Sequence, residues 1–302
     1  MPGVETRRLG RTDHHSSVAI LGGAAFWTAT TDEARPSFEL ALDQGVNHLD
    51  IAPQYGAAQA AVGPLIPAVR DRLFVAAKTT RSNPDGVEAQ FDESRALLGC
   101  DQLDLYQAHG VTSIPELDER APGIERILQL RDRGLTRFAG ITGHNLTVPR
   151  TFLEALRRYD FDTVMFPVYP RLWIVPEYRE AAEELLALCV ERDLGVMAIK
   201  AVARRPWEDG RPMSDAIEVH PDTAGRWAGS WYEPQRPGAG IARGIDFALS
   251  TPGVHAFCTP GDMGLLPAVL EAANAHHLLS AGERQEAADA MADERVIFPL
   301  PR

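Results

Sequence analysis

The chain has 302 residues, of which 45% are hydrophobic, and its formal net charge is −12 at pH 7. This length allows one large α/β barrel or two ordinary domains. The charge disfavours nucleic acid and anionic membranes as partners, because both would be repelled without a strongly basic patch. No run reaches the roughly 20 apolar residues of a membrane helix, and the first residues lack the apolar core of a secretion signal. We therefore expect a cytoplasmic protein that acts on small molecules.

Strands and helices are predicted to alternate along nearly the whole chain. An N-terminal hairpin around the GRTD turn leads into a buried strand that ends in glycines. The predicted strands that follow are HLDIA, LFVAAKT, LDLYQAH, RFAGITG, TVMFPVY, GVMAIKAV and VHAFCTP. The predicted helices span 58–70, 85–99, 119–134, 149–158, 177–193, 240–250, 264–275 and 280–290. In the last of these, Ser280 is the expected N-cap and Glu283 its partner.

The apolar strands are continuous rather than alternating, which indicates burial on both faces, as in a parallel barrel wrapped by helices. We predict an α/β protein with a (β/α)8 TIM barrel, an N-terminal hairpin and an extra C-terminal helix, all in one domain over 1–302. The stretch 203–239, rich in Pro, Gly and Trp, is too long for an ordinary connection after the seventh strand. It predicts a lid or a pocket wall.

Four polar residues lie at or just beyond the ends of three successive strands: Asp50, Tyr55, Lys78 and His109. In a parallel barrel these ends meet at the rim where such enzymes hold their chemistry. A phenol is a poor proton donor at neutral pH unless a positive charge stabilises its phenolate, and Lys78 can supply that charge. Asp50 would keep Lys78 protonated and oriented, and His109 would hydrogen-bond the substrate oxygen. The set predicts proton transfer to a carbonyl oxygen, with Tyr55 as the general acid.

The three cysteines are Cys100, Cys189 and Cys258, and they are far apart with no CxxC pair. This spacing gives no signal for zinc or an iron–sulfur cluster. We expect reduced, structural thiols and no bound metal.

Taken with this architecture, several motifs resemble the aldo-keto reductase superfamily, in order and spacing along nearly the whole chain. The motifs are RLGRTDHH, NHLDIAPQYG, FVAAKTT, LDLYQAHG, GITGHN and the late PGD segment. The resemblance implies a nicotinamide cofactor, either NADP or NAD, because no protein side chain donates a hydride. The implied reaction is NAD(P)-dependent reduction of a small carbonyl compound, or oxidation of the corresponding alcohol.

The resemblance also implies a set of cofactor contacts. They are Thr142, His144, Asn145, Met165, Lys200, Gly261, Asp262 and Glu271. Thr142 falls where the superfamily holds the nicotinamide carboxamide, and Met165 stands where many members have Gln. Asn145 could equally begin a turn, and Glu271 could be an ordinary exposed glutamate of a helix. Lys200 lies in a buried strand and needs a partner or a ligand, because an unpaired buried charge is costly.

One part of the cofactor site departs from the superfamily pattern. Asp262 and Ala268 stand where members that prefer NADP have a basic residue and an arginine. An aspartate would repel the 2′-phosphate, which puts NADP preference in doubt. Two alternatives stay open: the cofactor is NAD, or arginines such as Arg204, Arg205 or Arg243 replace the lost contacts.

Aromatic residues supply the predicted substrate pocket. Gly110 stands where many members have Trp, so we expect a wider pocket beside His109. The candidates for the pocket wall are Trp27, Tyr169, Trp173, Trp231 and Tyr232. Among them we favour the adjacent pair in the GSWYEP segment.

Two rival hypotheses come from the same residues. A metal-dependent hydrolase would use His48 and Asp50, which project from one face of a strand, with histidines at other strand ends. It leaves Tyr55 and Lys78 unexplained. A non-catalytic relative would bind the cofactor as a sensor or subunit, although the four retained catalytic residues argue against it. No motif indicates an oligomeric state.

Overall fold

The computed structural model describes residues 3–208 and 229–298. Its strands are β1 (Thr6–Arg8), β2 (His15–Ser17), β3 (Ala19–Gly22), β4 (His48–Asp50), β5 (Phe74–Thr79), β6 (Leu103–Ala108), β7 (Thr136–Thr142), β8 (Thr163–Pro167), β9 (Gly195–Ile199), β10 (Ala203–Arg205), β11 (Glu233–Pro234) and β12 (Ala256–Cys258). Its α-helices are α1 (Thr31–Asp43), α2 (Ala58–Val62), α3 (Pro84–Leu98), α4 (Ile114–Glu119), α5 (Ala121–Asp132), α6 (Val148–Arg158), α7 (Pro176–Glu191), α8 (Ala239–Ser250), α9 (Leu266–Asn274) and α10 (Ala281–Asp289).

Eight parallel strands form a closed barrel in the order β12-β3-β4-β5-β6-β7-β8-β9. The barrel closes where β12 pairs with β3, and there the Gly22 N–H donates to Thr259 Oγ1 at 2.9 Å. Helices follow the strands and cover the outside, as parallel strands require. The predicted (β/α)8 TIM barrel is confirmed, whereas the extent of a single domain over 1–302 stays a prediction.

Side chains on the barrel strands alternate between the interior and the helix layer. On β5, Phe74 and Ala76 pack in the interior cluster, whereas Val75 and Ala77 pack with the outer helices. This period of two places Lys78 on the interior side as well. The interior cluster comprises Leu9, Ile20, Phe74, Ala76, Leu105, Met165, Met197 and Ala256.

The predicted N-terminal hairpin forms, and it closes the floor of the barrel. β1 and β2 pair antiparallel, and Leu9, just after β1, is fully buried in the interior cluster. Gly10 follows at φ +50°, and a Cβ there would lie 2.4 Å from the backbone nitrogen of Gly195. Only glycine fits this close approach of the hairpin to β9.

Three helix predictions need correction. Helix α1 was not predicted, because Pro36 interrupts its pattern, yet Thr30 and Glu33 form a capping box at its start. The predicted helix 58–70 ends at Val62 and continues as 3-10 turns, because Pro64 and Pro67 lack the N–H groups that an α-helix needs. The predicted helix 119–134 corresponds to α5, and a separate short helix, α4, precedes it and ends at Glu119.

The C-terminal helix begins as predicted, with Ser280 and Glu283 forming a capping box at the start of α10. The predicted loop 203–239 contains the two short strands β10 and β11, which pair antiparallel, and the middle of that prediction lies outside the described residues. Within 3–208 and 229–298, no helix is both long enough and apolar enough to cross a membrane. The cytoplasmic location stays a prediction.

Candidate active site

The residues Asp50, Tyr55, Lys78 and His109 converge at the carboxyl end of the barrel strands. Lys78 Nζ donates to Asp50 Oδ2 at 2.5 Å and to the Tyr55 hydroxyl at 3.3 Å. Lys78 is 1% exposed and Asp50 2% exposed, so the ion pair is almost fully removed from water. The rings of Tyr55 and His109 meet edge to face with centroids 5.7 Å apart. An acid, an ammonium, a phenol and an imidazole therefore share one site.

The Lys78–Asp50 pair keeps a positive charge in this buried position. Burial lowers the pKa of Lys78, but the groups around it, with the Asp50 carboxylate foremost, together raise the pKa above the ordinary value. Removing either partner would leave an uncompensated charge, which is far more costly than the pair itself. Lys78 is thus a fixed cation beside the Tyr55 hydroxyl.

The environment of Tyr55 corrects one expectation from the sequence. Lys78 does lower the pKa of the phenol, but burial has the larger effect and raises the pKa to about 12. Tyr55 therefore holds its proton at neutral pH and can donate it. The Lys78 ammonium lies within hydrogen-bonding distance of this hydroxyl, and a cation in that position favours a phenolate.

His109 is a neutral imidazole in this site. Burial lowers its pKa well below the ordinary value, and the positive charges of Lys78, Arg120 and Lys200 add to that effect. Its Nδ1 atom lies 3.1 Å from Oε1 of Gln54. A neutral ring carries one proton, so its two nitrogens have opposite hydrogen-bonding roles.

Two further side chains contact Asp50 and were not among the predicted site residues. Gln107 Nε2 donates to Asp50 Oδ1 at 3.2 Å, and Cys258 Sγ lies 3.9 Å from Oδ2. Gln107 precedes His109 by two residues, so strand alternation alone could have indicated it. Cys258 was predicted to be structural, but it lines the cavity above Asp50, and burial raises the pKa of its thiol.

A cavity of about 90 Å³ opens above these residues at the barrel rim. It is also lined by seven residues predicted to bind cofactor or substrate: Thr142, His144, Met165, Lys200, Trp231, Tyr232 and Gly261. The Thr142 hydroxyl oxygen accepts a hydrogen bond from the Gly110 N–H at 3.2 Å, which leaves its own proton available for a ligand. The cavity therefore joins the proton-transfer residues to most of the predicted cofactor contacts.

Lys200 lines the same cavity. Its Nζ atom lies 4.1 Å from the centre of the Trp231 ring and 5.5 Å from that of Tyr232. These cation–π contacts supply favourable partners for a charge at the end of β9. Lys200 has φ +67°, a left-handed conformation that is unusual outside glycine and is concentrated at functional sites.

This combination of fold and site matches a known group of enzymes. The model for the Aldo/keto reductase family matches residues 19–213. The chain belongs to the aldo/keto reductase family. This assignment confirms the resemblance read from the motifs, and the family consists of oxidoreductases.

Known proteins resemble this chain at low sequence identity. The uncharacterized oxidoreductase YqkF of Bacillus subtilis is 28% identical over 228 residues, which cover 70% of this chain and 69% of YqkF. The holo form of aldo-keto reductase AKR11C1 from Bacillus halodurans superposes with a TM-score of 0.70 at 21% identity, covering 97% of this chain and 98% of its own. An aldo-keto reductase from Klebsiella pneumoniae in complex with NADPH gives a TM-score of 0.67 at 20% identity, covering 99% of both chains.

Three of the predicted wall aromatics do not line the cavity of this family member. Tyr169 is fully buried, and its hydroxyl accepts a hydrogen bond from the Ile297 N–H at 3.3 Å. Trp173 is 5% exposed and packs edge to face on Phe247 of α8. Both belong to the core between the barrel and its outer helices, so their expected place in the pocket is corrected. Trp27 lies beside Tyr55, with ring centroids 6.3 Å apart, outside the cavity lining.

Three of the predicted cofactor residues also lie apart from the cavity. The Asn145 side chain accepts a hydrogen bond from the Leu146 N–H, in the manner of a turn residue. Glu271 lies on α9 beside an outer groove that it shares with Leu40 of α1. Asp262 follows Gly261 at the rim, and its carboxylate accepts hydrogen bonds from backbone N–H groups.

Asp262 binds two backbone N–H groups at the rim. One carboxylate oxygen accepts from Gly264 at 2.8 Å, at the start of a 3-10 turn, and the other accepts from Gly229 at 2.9 Å. The carboxylate thus ties the segment before Trp231 to the end of the barrel. It also places a negative charge at the start of that turn.

Two of the three arginines that could replace a missing phosphate contact, Arg204 and Arg205, form ion pairs with glutamates. Arg204 pairs with Glu233 at 2.8 Å and with Glu294 at 2.6 Å. Arg205 pairs with Glu233 at 2.7 Å and with Glu208 at 2.9 Å. Both guanidinium groups are therefore neutralised by nearby carboxylates.

The ligands required by the hydrolase hypothesis are spread over both ends of the barrel. His48 lies on the floor, where its Nδ1 atom is 2.9 Å from the Ser16 hydroxyl, while His255 Nδ1 accepts from the Val196 N–H. In the part of the chain that the structure describes, no three His, Cys, Asp or Glu side chains are grouped as metal ligands. His48 and Asp50 share a strand face but not a site.

Proposed function

We propose that this chain transfers a hydride between a nicotinamide cofactor and a small carbonyl compound or its alcohol. The observation that carries the proposal is the buried contact of Lys78 with both Asp50 and the Tyr55 hydroxyl, directly beneath the cavity. A neutral phenol beside a fixed cation is suited to giving a proton to an oxygen that gains negative charge.

The proton step follows from the charges of the site. Tyr55 keeps its proton at neutral pH and donates it to the carbonyl oxygen, and Lys78 stabilises the resulting phenolate. Asp50 keeps Lys78 charged through that step. A bound nicotinamide cofactor supplies the hydride for reduction and accepts it for oxidation. Oxidation of the alcohol uses the same residues in reverse, with the phenolate as the base.

The cavity lining supports a nicotinamide cofactor. Thr142 offers a hydroxyl proton that can bind a carboxamide oxygen, and Met165 offers an adaptable apolar surface for a ring. Lys200 supplies a cation for an anionic group of the cofactor. These residues, with His144 and Gly261, are the ones we expect to hold it.

The rim favours NAD over NADP. The Asp262 carboxylate would repel an added 2′-phosphate, while Arg204 and Arg205 are already paired with glutamates. We expect Asp262→Lys to improve NADPH binding by about tenfold or more relative to NADH, by removing the repulsion and adding a cation. Asp262→Asn is the control that removes only the charge. Kd values from fluorescence titration measure the change, and an unaltered preference in both variants would contradict this reading.

The Tyr55→Phe variant tests the function itself. We expect carbonyl reduction to fall on the order of a thousandfold, because the general acid is lost, while the Kd for NADH stays unchanged. The matched control is Tyr106→Phe, because Tyr106 is buried on the outer side of β6, outside the cavity lining, and its hydroxyl donates to the Val87 carbonyl. Turnover that survives in Tyr55→Phe would refute the proposed role of this residue.

A further inference from the structure

Arg120, between α4 and α5, is a buried cation behind the residues of the rim. It is 6% exposed, and its guanidinium donates to the main-chain carbonyl of His109 at 2.7 Å and to that of Thr79 at 3.3 Å. Thr79 ends β5, directly after Lys78, and His109 follows the end of β6. One guanidinium therefore bridges two strand ends that carry proton-transfer residues.

The start of α5 brings Arg120 to this place. A Cβ on Gly123 would lie 2.6 Å from the Arg81 carbonyl oxygen, so the first turn of the helix packs directly on the loop after β5. Glu116 of α4 pairs with the guanidinium at 3.3 Å, and its other carboxylate oxygen accepts from the Thr112 N–H at 2.8 Å. The segment after β6 is therefore held from the same side.

The same two strands are bridged at their other ends by Arg70. Its guanidinium donates to the carbonyls of Leu73 and Gln102, both at 2.8 Å, one residue before β5 and β6 begin. Arg70 also pairs with Asp104 at 2.9 Å. The two arginines make equivalent contacts with the main chain at opposite ends of one strand pair, and of the two only Arg120 lies beside the proton-transfer residues.

The charge of Arg120 also acts on the His109 imidazole. Burial has the largest effect on the pKa of this ring and lowers it, and the charges of Lys78 and Arg120 lower it further. A buried guanidinium costs more to remove from water than an apolar side chain of the same size, so packing alone gives no reason for an arginine here. The other titratable groups in the cavity that His109 lines are Asp50, Tyr55, Lys78, His144, Lys200, Tyr232 and Cys258.

We propose that Arg120 is a positioning residue for His109. Its guanidinium holds the rim ends of β5 and β6 together and places a fixed positive charge behind the imidazole. The ring therefore stays uncharged and keeps its edge-to-face contact with Tyr55. The proposal rests on the proposed function in one respect, because it takes His109 to contact the reacting oxygen.

The first test follows the protonation of His109 by NMR of the ring C–H groups, on the full chain labelled with ¹³C at histidine. The His109 signals are those that disappear in His109→Asn. Arg120→Met removes the positive charge, whereas Arg120→Lys keeps it. We expect a larger charged fraction of His109 in Arg120→Met than in Arg120→Lys at about pH 5, because one repelling charge is gone. Arg120→Gln, which keeps an N–H donor for a carbonyl, takes the place of Arg120→Met if that variant does not fold.

Arg70→Met is the matched control, since it removes an equivalent guanidinium from the floor end of the same strands. We expect it to lower the stability measured by urea unfolding and to leave the His109 signals unchanged. Equal charged fractions of His109 in Arg120→Met and Arg120→Lys would overturn the proposal. Equal changes of the His109 signals in Arg70→Met and Arg120→Met would also overturn it, because any loss of a strand bridge would then have this effect.

Steady-state kinetics give a second readout. In Arg120→Met we expect kcat to fall about tenfold, the effect of one lost hydrogen bond from a charged donor, while the Kd for NADH stays unchanged. Arg120→Lys should retain part of the rate, because it keeps the charge but not the planar fork of donors. Arg70→Met should retain nearly all of it. A kcat in Arg120→Met equal to that in Arg70→Met would contradict the positioning role.

Failure of the proposed function is distinguishable from failure of the Arg120 proposal. The NMR measurement needs no turnover, so Tyr55→Phe can refute the proposed reaction while the effect of Arg120 on His109 is still observed.

Discussion

The rim and the floor of the barrel both bury polar side chains, yet charged side chains are buried at the rim and neutral histidines at the floor. At the rim, Lys78 and Asp50 form a buried ion pair with Nζ and Oδ2 2.5 Å apart. At the floor, His48 packs against Phe74, and burial lowers its pKa well below the ordinary value. His48 and Asp50, two residues apart on β4, therefore differ in kind: one packs as a neutral ring at the floor, and the other belongs to the ion pair at the rim.

The floor lacks the partners that sustain charge at the rim. His14 stacks on Phe74 with ring centroids 4.3 Å apart, and burial lowers the pKa of His14 to about 4. In the described part of the chain, Nε2 of both His14 and His48 is buried without a hydrogen-bond partner. The floor histidines are therefore neutral packing groups, and substitutions there should affect stability more than turnover.

The largest expected effect comes from removing the rim cation. Lys78→Met should lower turnover on the order of a thousandfold and cost about 3–5 kcal/mol of stability, because Asp50 is left buried without its partner. Steady-state rates and urea unfolding measure the two effects. The double variant Asp50→Asn with Lys78→Met should regain part of the stability but none of the activity. A double variant as unstable as the single one would show that the buried charge is not the cause.

A smaller effect on turnover is expected at Gln107 of β6, which contacts Asp50 from below the rim. Gln107→Leu removes the second hydrogen bond of Asp50, which is worth about 1.5 kcal/mol for a charged acceptor, so kcat should fall about tenfold. Its Oε1 atom has no hydrogen-bond partner within the described residues, so the loss comes from the Asp50 contact. The exposed Gln129→Leu is the matched control. If kcat is unchanged in Gln107→Leu, Asp50 is held by Lys78 alone.

Substitution of a floor histidine is expected to change turnover least. Its effect is on how the stability of the fold depends on pH. The pKa of His14 falls from an ordinary 6.5 to about 4 on folding, so the unfolded chain binds its proton first. Stability is full above pH 6.5 and decreases as the pH falls toward about 4. Urea unfolding between pH 7 and 4 should show this slope, and His14→Phe should make it shallower while kcat stays the same, because the other buried histidines still contribute. A variant with an equal slope would assign the proton uptake to other groups.

Residues on regular strands could be predicted from the sequence, because parallel strand ends meet at one rim and side chains alternate with a period of two. Asp50, Lys78 and His109 are of this kind, and they lie together as expected. The position of Tyr55 near the rim could also be predicted, because it lies shortly after the end of β4. The pKa of Tyr55 could not be predicted, because burial of the hydroxyl depends on the whole rim.

Residues on connecting segments were harder to place. Tyr169 and Trp173 are aromatic residues just beyond a strand end, but they pack against Ile297 and Phe247, far away along the chain. The contact of Asp262 with Gly229 likewise joins two loops that no local pattern relates. Helix α1 carried a local signal, the Thr30–Glu33 capping box, that its internal proline obscured.

The closure of the barrel between β3 and β12 determines when the site can form during synthesis. Gly22 and Thr259, which hydrogen-bond across this closure, are 237 positions apart in the chain. Contacts of such long range form slowly, and synthesis proceeds at roughly 5–20 residues per second. Asp50, Lys78 and His109 leave the ribosome well before Cys258 and Gly261, which complete the same cavity. A nascent chain halted before β12 would therefore hold a barrel that lacks its last strand. Its Lys78–Asp50 pair would still be accessible to water and to chaperones.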